Sequence, residues 1–396
     1  MHEEPYKDPK SFGVYIHFPF CVSRCTYCDF VVTTKPEIPH SAYADSLLLE
    51  LDDRASSFEG LNLVSIYLGG GTPSLWDPDE IRRVIGEIKA RFGAEALTEV
   101  TMEANPGDHF QDRLDAYVHA GVNRISMGVQ SFDDATLKSL SRRHSGAEAR
   151  ASVGATLQHS GLKSMSADLI YGLPGSSVQS SLEDLNSLLD MGVPHLSLYA
   201  LMLEPETPMA HQIRRGLTKL PPDDLVADQG EALLQRIDEG VLDLYEISNA
   251  AQEGHRAVHN SLYWHMRPYL GLGMGAHGLE PTEGSPGLTR RTNQVRLQPY
   301  LEDPLRAEHR EVLSSDVWLK DALLTLPRWL EGFDWTELEA LATPDQYAAI
   351  EDTIGELCRT GLLEKKGANV GLSRRGQMLS NSVSLALFEA VEDAGL

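Results

Sequence analysis

A chain of 396 residues exceeds one average domain, and 42% hydrophobic with 23% charged content is ordinary globular usage that excludes a disordered or repeat protein. Its 58 acidic residues outnumber 34 basic ones, and the net charge of −24 opposes phosphate backbones and anionic lipid, so no nucleic-acid partner is expected. No apolar run approaches a membrane span, and MHEEPYKDPKSFG has neither the basic nor the apolar part of a signal peptide, which makes the cytoplasm the expected location.

From Phe12 to about Leu203, short apolar β-branched runs alternate with helical patterns, the mark of repeated βα units on parallel strands. Six strands are predicted: Val14 to Phe18, Val64 to Leu68, Glu99 to Glu103, Arg124 to Val129, Ser164 to Ile170 and His195 to Leu201. Ile81, Val84, Ile85, Ile88 and Phe92 mark one helical face, and Leu182, Leu185, Leu188 and Leu189 another, with ends near Gly93 and Gly192. Six right-handed βα units curl into an open partial barrel more naturally than they close an eight-stranded one. The predicted fold class is α/β, a partial (β/α)6 barrel core.

GGGTP (69–73), EANP (103–106), VQSF (129–132) and DLIYGLP (168–174) all begin at or near strand C-terminal ends, the rim where barrel enzymes build their sites. After Leu203, PETP (205–208) and LPPDD (220–224) act as breaks before a Gly-rich stretch, LGLGMGAHG (270–278), and a loop, EPTEGSPG (280–287). From about Val312, two helical patterns, the hairpin LLEKK-GAN-VGLS and a last helix from about Arg375 to Ala390 follow the order of a winged-helix-like module. The chain's acidity favours a docking role for that module over DNA binding. The expected organisation is a core over 1–240, a connecting region over 241–311 and a C-terminal winged-helix-like domain over 312–396.

Three of the four cysteines fall within eight residues, Cys21-x3-Cys25-x2-Cys28, directly after the first predicted strand. Such spacing is that of a metal site and not of a disulfide framework. Three thiolates can bind three irons of a [4Fe-4S] cubane and leave the fourth iron open to S-adenosylmethionine, which chelates it through amine and carboxylate. The competing assignment is zinc, but no fourth ligand stands at standard spacing. Tyr27 is placed to pack over the cluster or adenine, Gly69 to Gly71 to let backbone approach a ligand, and the distant Cys358 to fill a core.

CVSRCTYCDF, GGGTP, EANP, GVQSF, LSRRH and DLIYGLP together resemble the oxygen-independent coproporphyrinogen oxidase branch of radical SAM proteins, over nearly the whole chain. The resemblance implies a radical SAM core in which Tyr15, Gly70, Gly71, Thr72, Glu103, Gln130, Arg142 and Asp168 contact S-adenosylmethionine. Chemically, Glu103 suits the ammonium, Arg142 the carboxylate and Asp168 a ribose hydroxyl. Two departures count against porphyrinogen decarboxylation: Phe30 stands where the oxidases carry a fourth cysteine, and only 20 residues precede Cys21 where they have a longer N-terminal arm.

Those departures, together with His259-Asn260-Ser261-Leu262-Tyr263-Trp264 (an HNxxYW string) and LSRRGQMLSNSV (372–383), resemble instead the HemW-type heme chaperones of the same family. This implies heme as cargo, heme-accepting respiratory enzymes at the membrane as partners, and docking or homodimerisation tuned by cluster and S-adenosylmethionine. The heme candidates are His259, Asn260, Tyr263 and Trp264, since His is the commonest heme ligand and the aromatics offer a flat surface. His265 and His277 are candidate second ligands. A His followed by aromatics equally fits a buried core imidazole, and the oxidase-like enzyme remains the alternative function.

Overall fold

In the computed structural model, residues 4–107, 110–284, 287–367 and 369–394 are described. The tip of the EPTEGSPG loop at 285–286 and residue 368 of the GAN turn lie outside them.

Six parallel strands form the centre: β1 (Ser11–Phe18), β2 (Asn62–Gly70), β3 (Glu99–Ala104), β4 (Arg124–Gln130), β5 (Ser164–Tyr171) and β6 (His195–Ala200). All six predicted strands are present, each within three residues of its predicted ends. They lie side by side in chain order, as sequential βα units dictate. Along each strand, buried apolar residues such as Val14, Ile16, Ile66, Leu68, Met102 and Ile125 alternate with buried polar ones such as Ser65, Thr101, Arg124, Ser126, Ser166 and Ser197, so one face packs in the core and the other carries polar groups.

The intervening helix Pro78–Phe92 buries Ile81, Val84, Ile85 and Ile88 at helical spacing. Asp77 caps its N-terminus by accepting from Asp79 N, and Gly93, at φ +79°, ends it in a backbone conformation that favours glycine. Val178–Asp190 is framed alike by a Ser177 capping box and Gly192 at φ +77°.

The stretch 241–311 does more than connect. It adds β7 (Asp243–Leu244) and β8 (Asn249–Ala251) antiparallel beyond β6, and β9 (Tyr269–Leu272) parallel to β1 on the opposite edge. Antiparallel β10 (His277–Pro281), β11 (Leu288–Asn293) and β12 (Ala307–Val312) follow, for a sheet of 12 strands. The Gly-rich run is therefore a strand and a turn. A Cβ on Gly271 would sit 1.7 Å from the His277 carbonyl, so only glycine lets β9 fold back so tightly. A buried cluster pins this edge: Arg54 donates to Glu280 and to the Gly271 carbonyl, while Glu50 accepts from Gly273 N and Asn293.

The C-terminal residues have their own core, built on Leu319, Leu323, Ile350, Ile354, Leu372 and Leu387. Helices Ser315–Thr325 and Pro344–Arg359 precede the hairpin strands β13 (Leu363–Lys366) and β14 (Asn369–Leu372). The expected last helix is two, Arg374–Met378 and Ser380–Ala394, and the interruption turns Met378 toward the barrel mouth. Cys358 packs half-buried against this core. The chain's N-terminal turn ties the modules together, since Lys7 and Arg256 both pair with Glu331.

Candidate functional site

The three cysteines sit in the loop after β1, at the C-terminal end of the parallel strands. That loop is held on several sides. Cys21 N donates to Thr33 O, Thr26 N to Leu140 O, and Gly71 N and Thr72 N to the carbonyls of Phe18 and Phe20. A Cβ on Gly71 would lie 2.7–2.9 Å from the backbone of residues 18–20, so the glycine run lets the rim of β2 close on the cysteine loop. Gly70, at φ +108°, donates its N–H to Glu103 Oε2. The amides of the GGGTP turn are thus already engaged within the protein.

A chain of polar contacts joins two of the sulfurs. Thr72 Oγ1 lies 3.6 Å from Cys21 Sγ, Asn105 Nδ2 donates to Thr72 Oγ1 (3.1 Å), Arg142 Nη2 donates to Asn105 Oδ1 (2.6 Å), and Arg142 Nη1 lies 3.6 Å from Cys25 Sγ. Burial pushes the Cys21 thiol up to about 11 and raises Cys28, as expected of thiols that lose their protons only to a metal. Among the described residues no three His, Cys, Asp or Glu side chains are grouped to hold a single ion. A cubane makes a different demand, with each thiolate on its own iron.

The cysteines open onto a cavity of about 390 Å³ that also takes in Gly70, Gly71, Thr72, Glu103, Gln130, Arg142 and Asp168. Seven of the eight residues expected around S-adenosylmethionine therefore share one cavity with all three cysteines. The eighth, Tyr15, does not: its phenol lies 3.0 Å from His17 Nδ1, and its ring borders a second cavity. Tyr27 packs against Leu140, Leu173 and Met209 at the same mouth, and Phe30, 58% exposed, lines its edge.

Burial pushes Glu103 up to about 7, moderated by the hydroxyl of Tyr67, which donates to it at 2.8 Å, and raised further by Asp168. Burial likewise pushes Asp168 up to about 6, against Ser197, Arg124 and Arg142. An arriving ammonium would return Glu103 to its ionised form. Several buried polar atoms facing this cavity have no hydrogen-bond partner in the protein: Gln130 Oε1, Arg142 Nε, His195 Nδ1, and Arg124 Nε and Nη2. Gln130 also adopts φ +67°, uncommon for a residue other than glycine. Unmet donors and acceptors in that number fit a polar, zwitterionic ligand such as S-adenosylmethionine. Sequence reasoning missed Arg124, whose signal was a cation in an otherwise apolar strand, and Asn105, visible only as part of EANP.

The HNxxYW residues form the helix Val258–Trp264. Ala257 offers no capping side chain, and Glu99 from β3 does so in its place, accepting from Val258 N and His259 N. His259 is 1% exposed and spends both ring nitrogens inside the protein, Nδ1 at 2.8 Å from Ser65 Oγ and Nε2 at 2.8 Å from Tyr263 Oη. Burial holds it down to about 3, hence neutral. A Cβ on Gly13 would lie 2.8 Å from His259 Nδ1, so that glycine makes room for the helix. Both nitrogens of this buried imidazole are thus engaged within the protein, while the residue also borders the second cavity described below. His265 is engaged with Ser261 O and stacked edge-on against Trp329, away from either cavity, and His277 lies 3.1 Å from Thr292 Oγ1.

Asn260, Tyr263 and Trp264 face the second cavity, of about 600 Å³, between the barrel mouth and the C-terminal module. Gln377, Met378, Ser380 and Asn381 of LSRRGQMLSNSV line its other side. The two cavities share Tyr67, Glu103, Tyr199, Ala200, Met202 and Asn260 as a common wall.

Residues 15–208 match the Radical SAM superfamily. A heme chaperone HemW of Haemophilus influenzae is 38% identical over 77% of this chain and 79% of its own length. The chain belongs to the HemW family. A second HemW-family protein, from Mycobacterium tuberculosis strain H37Rv, is 31% identical over 94% of this chain and 93% of its own. The fold is also that of the coproporphyrinogen III oxidase HemN from Escherichia coli, with a TM-score of 0.78 over 97% of this chain and 92% of that one at 21% identity. The HemW-family chain thus carries a radical SAM α/β core with a C-terminal helical module, and membership of that superfamily implies a [4Fe-4S] cluster and S-adenosylmethionine. None of its described helices is long and apolar enough to cross a membrane.

Proposed function

We propose that this chain is a cytoplasmic heme chaperone that takes up heme in the second cavity and hands it to heme-accepting respiratory enzymes at the membrane. The observation that carries the reading is a juxtaposition: the HNxxYW helix and the 377–381 segment, more than 100 residues apart in sequence, line one cavity that shares a wall with the cofactor cavity. Its volume is in the range of ligand sites, and its lining joins aromatic and aliphatic side chains, among them Tyr171, Leu233, Tyr263 and Trp264, to a band of polar groups, which suits a flat macrocycle with polar substituents.

In this reading Cys21, Cys25 and Cys28 hold the cluster, and Gly70, Gly71, Thr72, Glu103, Gln130, Arg142 and Asp168 surround S-adenosylmethionine. A bound cluster supplies one-electron chemistry to the sulfonium. The protein's own part is to seat and orient: Arg142 and Asn105 fix the sulfur-facing rim, Glu103 accepts from the ammonium, and Asp168 accepts from a hydroxyl. His259 positions the helix bearing Asn260, Tyr263 and Trp264 and is not the iron ligand in this account.

The shared wall also suits the second reading, a radical reaction on a tetrapyrrole of the coproporphyrinogen oxidase kind. Hemin titration of anaerobically reconstituted protein, followed at the Soret band, and 5′-deoxyadenosine assay of the same sample separate them. Stoichiometric heme binding without 5′-deoxyadenosine release supports the chaperone. Release that depends on coproporphyrinogen, with no Soret change on adding hemin, would replace it.

A further inference from the structure

The second cavity has a polar end that neither the cluster nor S-adenosylmethionine uses. Arg328, on the turn Leu326–Arg328, donates from Nη2 to Asn381 Oδ1 at 3.1 Å, while its Nε is buried without a hydrogen-bond partner. Beside it, Glu246 pairs by backbone with Trp329, accepts from Ser248 N through Oε2, and leaves Oε1 buried and unpartnered. Asn249 Oδ1 is buried and unpartnered at the same end. Glu246 and Asn249 are 0% and 3% exposed, so their unpartnered oxygens belong to the wall of the cavity and not to the outer surface.

Burial pushes Glu246 up to about 7, so near neutrality a share of it is protonated and can donate to an anion rather than repel it. Tyr171, Leu198, Leu233, Leu234, Leu244 and Trp264 supply apolar and aromatic surface to the same cavity. Gly230 lies within the helix Asp223–Asp238, where glycine weakens the helix, yet a Cβ there would stand 3.2 Å from Tyr171 Oη and 3.3 Å from Met378 Cε. Its bare backbone keeps that wall flat.

Charge then decides what fits. Among the residues lining the cavity, Arg328 is the one cation, set against the carboxyls of Glu103 and Glu246, and His259 is neutral. Gln377 gives its carbonyl to Arg374, which leaves its amide hydrogens as donors in the same lining, and Arg374 is itself paired with Asp238. One guanidinium with neighbouring amides can satisfy one or two carboxylates. Four would leave anions buried without partners.

Resting on the heme reading above, we propose that this cavity seats a flat macrocycle carboxylate-end first at Arg328, accepts a dicarboxylate tetrapyrrole and discriminates against a tetracarboxylate one. Arg328 is a specificity-determining residue in this assignment, with Asn381 holding its guanidinium in place.

The test uses the full chain with its cluster reconstituted anaerobically, titrated at the Soret band with hemin, hemin dimethyl ester and iron coproporphyrin III, which carry two, no and four free carboxylates. Hemin should bind about tenfold or more tightly than either of the others, the scale of a charge-assisted contact. Arg328→Gln should bring hemin down to the level of the ester and leave the ester unchanged, which also shows that the variant folds. Arg328→Lys should restore part of the difference, and Asn381→Asp, which ties the guanidinium into an ion pair, should weaken hemin alone. An unchanged hemin-to-ester ratio in Arg328→Gln, or coproporphyrin binding as tight as hemin, overturns the proposal and leaves the heme reading standing. Failure of the unmodified protein to bind all three compounds overturns both.

Discussion

His259 offers the sharpest separation of a structural from a ligating histidine, through the variant His259→Gln. Buried between Ser65 and Tyr263, it is held down to about 3, whereas in the unfolded chain it titrates near 6.5. Its folded value lies below its unfolded one, so between those two pH values the unfolded state binds the extra proton. The stability from a neutral His259 is therefore complete above 6.5 and is lost as pH falls toward 3. At pH 5 the unfolded histidine is mostly protonated and the folded one is not, which costs the native state about 2 kcal/mol relative to pH 8. The variant lacks this titration. At pH 8 it should be less stable by about 1–3 kcal/mol for the disrupted hydrogen bonds. By pH 5 that gap should narrow by about 2 kcal/mol. Urea unfolding followed by tryptophan fluorescence at pH 8, 6.5 and 5 measures the gap directly. A constant offset across the series would refute the buried neutral imidazole.

Three further outcomes follow from close contacts. Asn105→Ala breaks the link from Thr72 to Arg142 and should weaken S-adenosylmethionine binding about tenfold in equilibrium dialysis while iron content holds. Gly71→Ala drives a methyl into the backbone of residues 18–20, so iron per chain after reconstitution should fall by more than half although the barrel still folds. Arg54→Met strands Glu50 and Glu280 in the interior and should cost about 3–5 kcal/mol in urea unfolding. Equal stability to the unmodified chain would show that the cluster under β10 is not buried as described.

The central strands were legible because their pattern is local: apolar β-branched runs, helical spacing and glycines at helix ends suffice to place β1 to β6. The flanking strands β7 to β12 were not, since their sequences are short, Gly-rich or polar and become strands only through pairing at the edges of an existing sheet. The cysteine motif lies at the mouth of one cavity, and seven of the residues that the resemblance assigns to S-adenosylmethionine line that same cavity. Tyr15 parted from them although it pairs with Tyr67, which borders both cavities: its phenol meets His17 Nδ1 and its ring borders the second cavity. HNxxYW pointed to a real cavity wall but not to the role of its histidine, since the partners that occupy both nitrogens, Ser65 and Tyr263, appear only when the helix is laid on the sheet. Arg328 and Glu246 carried no motif at all, and tertiary packing alone makes them neighbours.

In the proposed function Cys21, Cys25 and Cys28 anchor an iron–sulfur cubane with one corner for S-adenosylmethionine. Electron paramagnetic resonance of the reduced, anaerobically reconstituted chain, recorded before and after adding S-adenosylmethionine, measures this most directly. A cluster signal should appear, change shape when S-adenosylmethionine is added, and be absent from Cys25→Ala. A preparation that holds zinc without sulfide, or a cluster signal indifferent to S-adenosylmethionine, would contradict it.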